Sequence, residues 1–126
     1  MSTVTAIVCI AAQALSCQQM PVRVIDGDTI KIMSENVRFL GIDAPEMKGA
    51  CAAESATARK AKARVATLIS GAEVVVDRQG KDRHRRTLAI VKVRGADIGE
   101  ILMAEGLARK WEKKWRPGMD DVWCRP

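Results

Sequence analysis

The sequence predicts a single α+β domain, mainly β, built as a small closed barrel with two to three helices. Three observations support this fold class. The 126 residues are the size of one ordinary domain, and 48% of them are hydrophobic, so one core can form. Short β-branched runs with tight connectors lie on both sides of one alanine-rich stretch. No internal repeat or low-complexity linker divides the chain.

Five segments have the composition of β-strands. Asp26-Gly27-Asp28 is a strong turn signal and Ser34-Glu35-Asn36 a moderate one, so the first three segments are expected to form an antiparallel meander. A parallel arrangement would need longer crossovers. The five segments are residues 22–25, 29–33, 37–42, 73–78 and 87–93.

Two helices are expected. Residues 52–69 are rich in alanine and charge and contain no Gly or Pro, which predicts a helix of about five turns that Gly71 ends. Asp97 and Glu100 form a capping pair that opens a second helix over residues 98–105, closed by Gly106. The long helix should bury one apolar stripe, which consists of Ala53, Ala56, Ala61, Val65, Leu68 and Ile69. Five antiparallel strands with a helix in the middle favour the five-stranded oligonucleotide-binding (OB) barrel.

The amino-terminal segment predicts export. The first 16 residues carry no charged side chain, and an apolar run over residues 4–11 precedes Ala12-Gln13-Ala14, which has the form of a signal-peptidase site. These features predict a leader over residues 1–14 and a single domain over residues 15–126. The protein would then be periplasmic or secreted. The expected positive charge before the run is missing, so the alternative is a buried strand or helix of a cytoplasmic protein. The run is far shorter than the ~20 residues of a membrane span.

The four cysteines do not have the paired short spacings of a zinc site. Loss of the leader would remove Cys9 and leave three cysteines, enough for one disulfide and one free thiol in an oxidising compartment. The expected disulfide joins Cys17 to Cys51 or Cys51 to Cys124. The alternative is that all the cysteines are buried and reduced in a cytosolic protein.

Charge and residue counts narrow the function. The excess of 21 Lys and Arg over 15 Asp and Glu favours a polyanionic partner such as DNA or RNA. Three Trp, one Phe and no Tyr argue against stacking on several bases, so backbone phosphates are the expected target. A single histidine, His84, excludes the two-histidine scheme of many ribonucleases, and neither a Gly-x-Ser-x-Gly elbow nor a Walker loop is present.

Charged segments interrupt the apolar runs at residues 26–28, at Arg38 with residues 43–46, and at residues 82–86. Each lies in or at the end of a predicted strand, where a barrel could gather them at one rim. Four carboxylates at such a rim would repel one another unless a cation joined them, and their hard oxygen atoms suit calcium or magnesium. The alternative is that these segments are only turns, since Asp, Gly and Pro are turn residues.

Three motifs, over residues 24–30, 37–46 and 85–89, strongly resemble those of the staphylococcal nuclease (thermonuclease) family. Residues 98–109 are also similar to that family's second helix, so the resemblance runs from Val22 to Trp111. It implies a five-stranded OB barrel decorated by helices, with one calcium ion as cofactor.

The resemblance also implies the roles of individual residues. Asp28 and Asp43 would be the calcium carboxylates, with the main-chain oxygen of Ala44 as a further ligand. Asp26 would lie just outside these ligands. Attack on a phosphodiester builds negative charge on the phosphate oxygens, which paired guanidinium groups and a divalent ion can stabilise. The catalytic residues implied are Arg38 and Arg86 on the scissile phosphate, and Glu46 as the general base for water.

The sequence departs from the family pattern in three places. Ala44 replaces a threonine, which keeps the backbone carbonyl but removes a hydroxyl. Arg85 stands where the family usually has glycine, so either Arg85 or Arg86 could point into the site. The family's tyrosines near the substrate phosphates have no counterpart, and the candidates to replace them are His84, Trp111 and Trp115.

The sequence therefore predicts a monomeric calcium-dependent nuclease that hydrolyses DNA or RNA with little sequence specificity. One alternative is a catalytically weak OB-fold adaptor that binds nucleic acid or protein. A second is a nuclease with two metal ions, since four carboxylates could hold both. The paired arginines make a second ion less necessary.

Overall fold

The computed structural model describes residues 2–10, 16–112 and 122–125, which form a mainly β α+β domain. Six strands make the barrel: β1 (Thr3–Ile10), β2 (Ser16–Val24), β3 (Thr29–Ile32), β4 (Glu35–Phe39), β6 (Glu73–Lys81) and β7 (Thr87–Val93). Three two-residue strands lie outside it: β5 (Ile42–Asp43), β8 (Ala96–Asp97) and β9 (Arg109–Lys110). The helices are α1 (Ala52–Ile69), α2 (Ile98–Ala104) and a 3₁₀ turn (Val122–Cys124).

The barrel closes through two parallel pairings. Its strands run in the order β4-β3-β2-β1-β6-β7, and β7 pairs with β4 to complete the circle. β1 with β6 and β4 with β7 are parallel, whereas the other neighbours are antiparallel. The predicted meander is therefore confirmed as β2-β3-β4. Alternate residues of the strands fill the interior, with Phe39 and Ile30 among the largest fully buried side chains.

The predicted count of five strands is one too low. Residues 3–10, which the sequence suggested as part of a leader, form β1, and Ala6, Val8 and Cys9 are buried. In this structure the segment pairs as a strand of the barrel, and its predicted removal as a leader stays a prediction. β1 lies between β2 and β6, and β2 begins six residues earlier than expected because it pairs with β1 along its whole length. The OB-type barrel is retained, with one strand added.

All four cysteines form disulfides. Cys51–Cys124 agrees with one of the two expected pairings and ties the 3₁₀ turn to the start of α1. The other expected pairing, Cys17–Cys51, is wrong because Cys17 is bonded to Cys9 on the facing strand. The expected leftover thiol is wrong for the same reason: with β1 in place, the chain has an even number of cysteines and no free one.

The bounds of α1 agree with the prediction, and its buried face agrees in part: Ala61, Val65 and Ile69 are buried and Leu68 packs against the core. Gly71 follows the helix with φ of 69°, as expected of a stop signal. The buried residues are Glu54, Ala58, Ala61, Val65 and Ile69. Ala53 and Ala56 are therefore outside the buried stripe, and a glutamate is inside it. In the part of the chain that the structure describes, neither helix has the length and apolar composition needed to cross a membrane.

Candidate active site

The acidic residues of two loops meet beside α1. Asp26 and Asp28 lie in the turn between β2 and β3, and Asp43 lies in β5. The turn can approach the helix because Gly27 has no side chain: a Cβ there would lie 2.7 Å from the Cβ of Ala61. It would also lie 2.9 Å from the Cβ of Ala44, so the same glycine allows the turn to reach the loop after β5. Close backbone packing thus brings the turn and the loop after β5 together.

Asp28 is the buried centre of this cluster, with 6% of its surface exposed. Its Oδ1 accepts from Thr29 Oγ1 at 3.1 Å, and its Oδ2 accepts from the backbone N–H of Ala44 at 3.1 Å. Arg38 Nη2 donates to the same Oδ2 at 3.4 Å. Asp28 N in turn donates to Asp26 Oδ1 at 3.0 Å. A buried carboxylate needs such partners, and here they fix Ala44 and Arg38 around it.

Two arginines neutralise part of the acidic cluster. Arg38 donates from Nη1 to the carbonyl of Ile42 at 3.0 Å, and its Nη2 lies 3.7 Å from Asp43 Oδ1. Arg109 donates from Nε to Asp43 Oδ2 at 3.1 Å, across the short β5–β9 pairing that aligns these two residues. Sequence reasoning missed Arg109, because a two-residue strand pairing 66 positions apart has no local signal.

Three carboxyl groups of the cluster, those of Asp26, Asp43 and Glu46, have raised pKa values. Burial, followed by hydrogen bonding to Asp28 and its charge, raises the pKa of Asp26 to about 7. Burial also raises the pKa of Asp43, and the adjacent Arg109 offsets part of that effect. Partial removal from water raises the pKa of Glu46, and the charges of Asp28 and Asp43 raise it further. The local excess of negative charge is what a bound cation would relieve.

The donor atoms of this cluster fit one hard cation. Asp28 and Asp43 supply carboxylate oxygens, and the Ala44 backbone is held against Asp28. No sulfur or imidazole belongs to the group, so its chemistry is that of a calcium or magnesium site. Among the described residues, one group of three Cys, His, Asp or Glu side chains has its ligand atoms within 4.8 Å of one another, and it lies away from this cluster. It consists of Cys9, Cys17 and Glu73, and its two sulfurs are joined in a disulfide.

The two adjacent arginines in the turn between β6 and β7 have different contacts and backbone conformations. Asp82 accepts from the backbone N–H of His84 at 2.8 Å, and from Arg86 at both N (2.9 Å) and Nε (2.7 Å). Arg86 is therefore part-buried and oriented. Arg85 is exposed with φ of 64°, the left-handed conformation that favours glycine. The structure thereby distinguishes Arg86 from Arg85, which sequence reasoning left open.

Strand register relates Arg86 to Arg38. In the parallel β4–β7 pair, Val37 aligns with Thr87 and Arg38 with Leu88. Val37 and Thr87 are buried inside the barrel, so Arg38, which follows Val37 in β4, lies on the outward-facing side of its strand. Arg86 immediately precedes β7, in the turn before it. The register thus places Arg38 next to the start of β7, and the contacts of Arg86 among the described residues are with Asp82.

The remaining predicted contacts are peripheral or outside the described residues. His84 and Arg85 are exposed in the 82–86 turn. Trp111 is 49% exposed, and its backbone N–H donates to the carbonyl of Gly41 at 2.9 Å. Trp115 lies outside the described residues. Glu46 is exposed at the edge of the cluster, on a loop held by Glu54, a buried residue that the sequence analysis did not select. Its signal was available, since Cys51 and Glu54 have the spacing of a capping pair.

Fold and site together define an OB-type barrel with an acidic cluster and two arginines at one rim. The family model described as "Staphylococcal nuclease homologue" matches residues 36–121. The chain belongs to this family.

Relatives from several bacteria agree with that assignment. The chain is 34% identical to Endonuclease YncB of Bacillus subtilis over 69% of its own length and 44% of that protein's length. It is 35% identical to a thermonuclease of Staphylococcus hyicus, over 76% of this chain and 59% of the relative. It is 31% identical to a micrococcal nuclease of Shigella flexneri, with the same two coverages, 76% and 59%. The chain thus spans about half the length of the relatives it matches.

Proposed function

We propose that this chain is a nuclease that hydrolyses phosphodiester bonds of DNA or RNA, with one calcium ion and little sequence preference. The observation that carries the proposal is the buried Asp28, which joins Ala44 and Arg38 in one hydrogen-bonded group next to Asp43. The names of the relatives, which include endonuclease, thermonuclease and micrococcal nuclease, support the same reaction class.

Asp28, Asp43 and the main-chain oxygen of Ala44 are the proposed ligands of the ion. A bound divalent cation would neutralise charge on the phosphate and make a coordinated water easier to deprotonate. The protein's part is to hold the two carboxylates in place before binding. Arg109 does this for Asp43, and Thr29 and Ala44 do it for Asp28.

Arg38 and Arg86 are the proposed phosphate contacts. A planar guanidinium donates two parallel hydrogen bonds to phosphate oxygens, and these bonds strengthen as negative charge builds on those oxygens. Arg86 Nε donates to Asp82 Oδ2 at 2.7 Å, so the terminal nitrogens of the guanidinium do not take part in that hydrogen bond. Arg38 is fixed by Ile42 O and Asp28 at the edge of the acidic cluster.

Glu46 is the proposed base that accepts the proton of the attacking water. Its carboxylate is close enough to Asp28 and Asp43 for their charges to raise its pKa. A higher pKa makes the carboxylate a better proton acceptor. Glu46→Gln keeps the shape and removes the base, so its defect should shrink as pH rises and hydroxide replaces the missing acceptor.

We also propose that the protein acts in an oxidising compartment, the periplasm or the exterior of the cell. Two disulfides support this, since such bonds persist mainly in oxidising surroundings. Mass analysis of native protein before and after alkylation tests it: all four thiols should resist labelling without reductant.

Cleavage assays test the proposed reaction. Purified protein should degrade single-stranded DNA, double-stranded DNA or RNA in calcium and lose that activity in a calcium chelator. Products should show little sequence preference, because the proposed contacts reach phosphates, and binding should weaken steeply with salt. Cleavage at one defined sequence, unaffected by ionic strength or chelator, would contradict the proposal. Binding without cleavage would favour an adaptor.

A further inference from the structure

A buried glutamate outside the acidic cluster forms hydrogen bonds with the loop that carries Glu46. Glu54 lies in the first turn of α1 and is 6% exposed. A carboxyl side chain with so little exposure needs hydrogen-bond partners to offset the loss of water. Among residues 2–10, 16–112 and 122–125, no arginine or lysine forms an ion pair with it. The donors that the structure records are backbone N–H groups of the loop before the helix.

Both carboxylate oxygens of Glu54 accept from this loop. Oε2 accepts from the N–H of Glu46 at 2.9 Å, and Oε1 accepts from the N–H of Ala50 at 2.9 Å. The carboxylate therefore bridges the two ends of residues 46–50. In an ordinary capping box, a glutamate at this position accepts from the N–H of the N-cap residue, here Cys51. Glu54 instead accepts from residues one and five positions before Cys51, so helix capping does not explain its contacts.

The loop is closed tightly around the glutamate. A Cβ on Gly49 would lie 2.6 to 2.8 Å from three carbon atoms of the Glu54 side chain, so only glycine allows this approach. Gly49 N also donates to Ser55 Oγ at 3.1 Å. On the helix side, Glu54 N donates to Cys51 Sγ at 3.4 Å, and Cys51 is anchored by its disulfide to Cys124. The carboxylate is thus fixed from both sides.

We propose that Glu54 is a positioning residue: its carboxylate sets the backbone at residue 46 so that the Glu46 side chain is held beside the acidic cluster. This inference rests on the proposed function of Glu46. Misplacement of a reacting group by about 1 Å can cost roughly 100-fold in rate, so a residue that fixes the backbone at the base affects the chemical step. Contacts with the nucleic acid elsewhere need not change.

The test is Glu54→Gln, which preserves the size of the side chain but replaces one acceptor oxygen with an NH₂ group facing a backbone N–H. We expect kcat on single-stranded DNA in calcium to fall by about 10- to 100-fold, with KM changed by less than about 2-fold. Glu100→Gln is the matched control, because Glu100 is also three residues after an N-cap, Asp97, but is exposed. It should leave both constants unchanged.

A double-mutant cycle shows whether Glu54 acts through Glu46. Adding Glu54→Gln to Glu46→Gln should cost less than about 2-fold, because the base is already absent. A full, additive loss in the double variant would overturn the positioning role, and so would a rise in KM with kcat unchanged. Wild-type cleavage by Glu46→Gln alone would instead refute the proposed base, which separates the two failures.

Folding of the variants is checked by thermal unfolding, and the assays are run well below the midpoints. If Glu54→Gln does not fold, Ser55→Ala gives the decisive measurement, because it removes only the hydrogen bond from Gly49. A drop confined to kcat that disappears in the Glu46→Gln background supports the proposal. Wild-type kcat for Ser55→Ala, or an equal drop in both backgrounds, overturns it.

Discussion

Arg85→Gly should stabilise the protein and leave cleavage largely intact. Arg85 has φ of 64° in the turn between β6 and β7, and its side chain is exposed. An L-residue other than glycine in this conformation carries a steric penalty of about 1–2 kcal/mol, which glycine does not. Glycine also has more freedom in the unfolded chain, which offsets about 0.4–1 kcal/mol. The net expectation is a gain of about 0.5–1 kcal/mol in the free energy of unfolding.

Urea denaturation measures this change, and Arg83→Gly is the matched control. Arg83 is exposed in the same turn but does not have a positive φ, so glycine there should cost stability. The two substitutions remove the same charge, so opposite signs would isolate the backbone effect. In cleavage assays, Arg85→Gly should keep kcat within about 3-fold of wild type, whereas Arg86→Ala should lose about 10³-fold. Destabilisation by Arg85→Gly, or a loss of kcat equal to that of Arg86→Ala, would refute the assignment of these arginines.

Three further substitutions test the packing and the supports of the site. Gly27→Ala places a Cβ 2.7 Å from that of Ala61, so it should lower the free energy of unfolding by about 1–3 kcal/mol in chemical denaturation. It should also weaken calcium binding in titration calorimetry. Unchanged values for both would show that the turn is not tightly packed. Replacing Cys51 and Cys124 with serine removes a disulfide between residues 73 positions apart. It should lower the free energy of unfolding by about 4 kcal/mol, because the unfolded chain gains conformational entropy. A loss below about 1 kcal/mol would mean that this disulfide constrains the unfolded chain little. Asp82→Asn removes the negative charge that accepts from Arg86 Nε at 2.7 Å. We expect kcat to fall by about 10-fold or more while calcium affinity stays unchanged. Equal losses of kcat and calcium affinity would mean that Asp82 supports the calcium site instead.

Local signals predicted much of the fold. The bounds of α1 and β7 agree with the sequence, because Gly71 stops the helix and the β-branched run over residues 87–93 alternates between buried and less buried positions. The short connectors of the meander also required antiparallel pairing. These features depend on residues close in sequence, whose preferences the tertiary structure reinforces.

Features set by distant contacts were not predictable. The apolar run of residues 3–10 has the composition of either a leader or a strand, and its pairing with both β2 and β6 involves residues far away in the sequence. The choice of buried face on α1 depends on the loop before the helix, which encloses Glu54 instead of Ala53 or Ala56. Periodicity alone cannot detect a buried carboxylate whose partners are backbone N–H groups.

The candidate site was predicted in its composition but not in its supports. Asp28, Asp43 and Arg38 come together in the structure, joined through hydrogen bonds that no spacing rule specifies. Arg109 reaches the cluster through a two-residue strand pairing, and Arg86 is distinguished from Arg85 by backbone conformation. Motif residues thus indicated which side chains lie together, whereas the residues that orient them required three-dimensional contacts.

The most direct test of the central claim is the single-turnover cleavage rate of Arg86→Lys on labelled single-stranded DNA in saturating calcium. Lysine keeps the positive charge but cannot form the planar, two-pronged contact with a phosphate. A lost transition-state contact of about 4 kcal/mol corresponds to roughly 10³-fold in rate, so the variant should be slower than wild type by that factor. Calcium affinity should remain unchanged, because the structure records the Nε contact of Arg86 with Asp82 and not with the acidic cluster. A lysine variant that cleaves within about 10-fold of wild type would contradict the proposed role of Arg86 in phosphodiester hydrolysis.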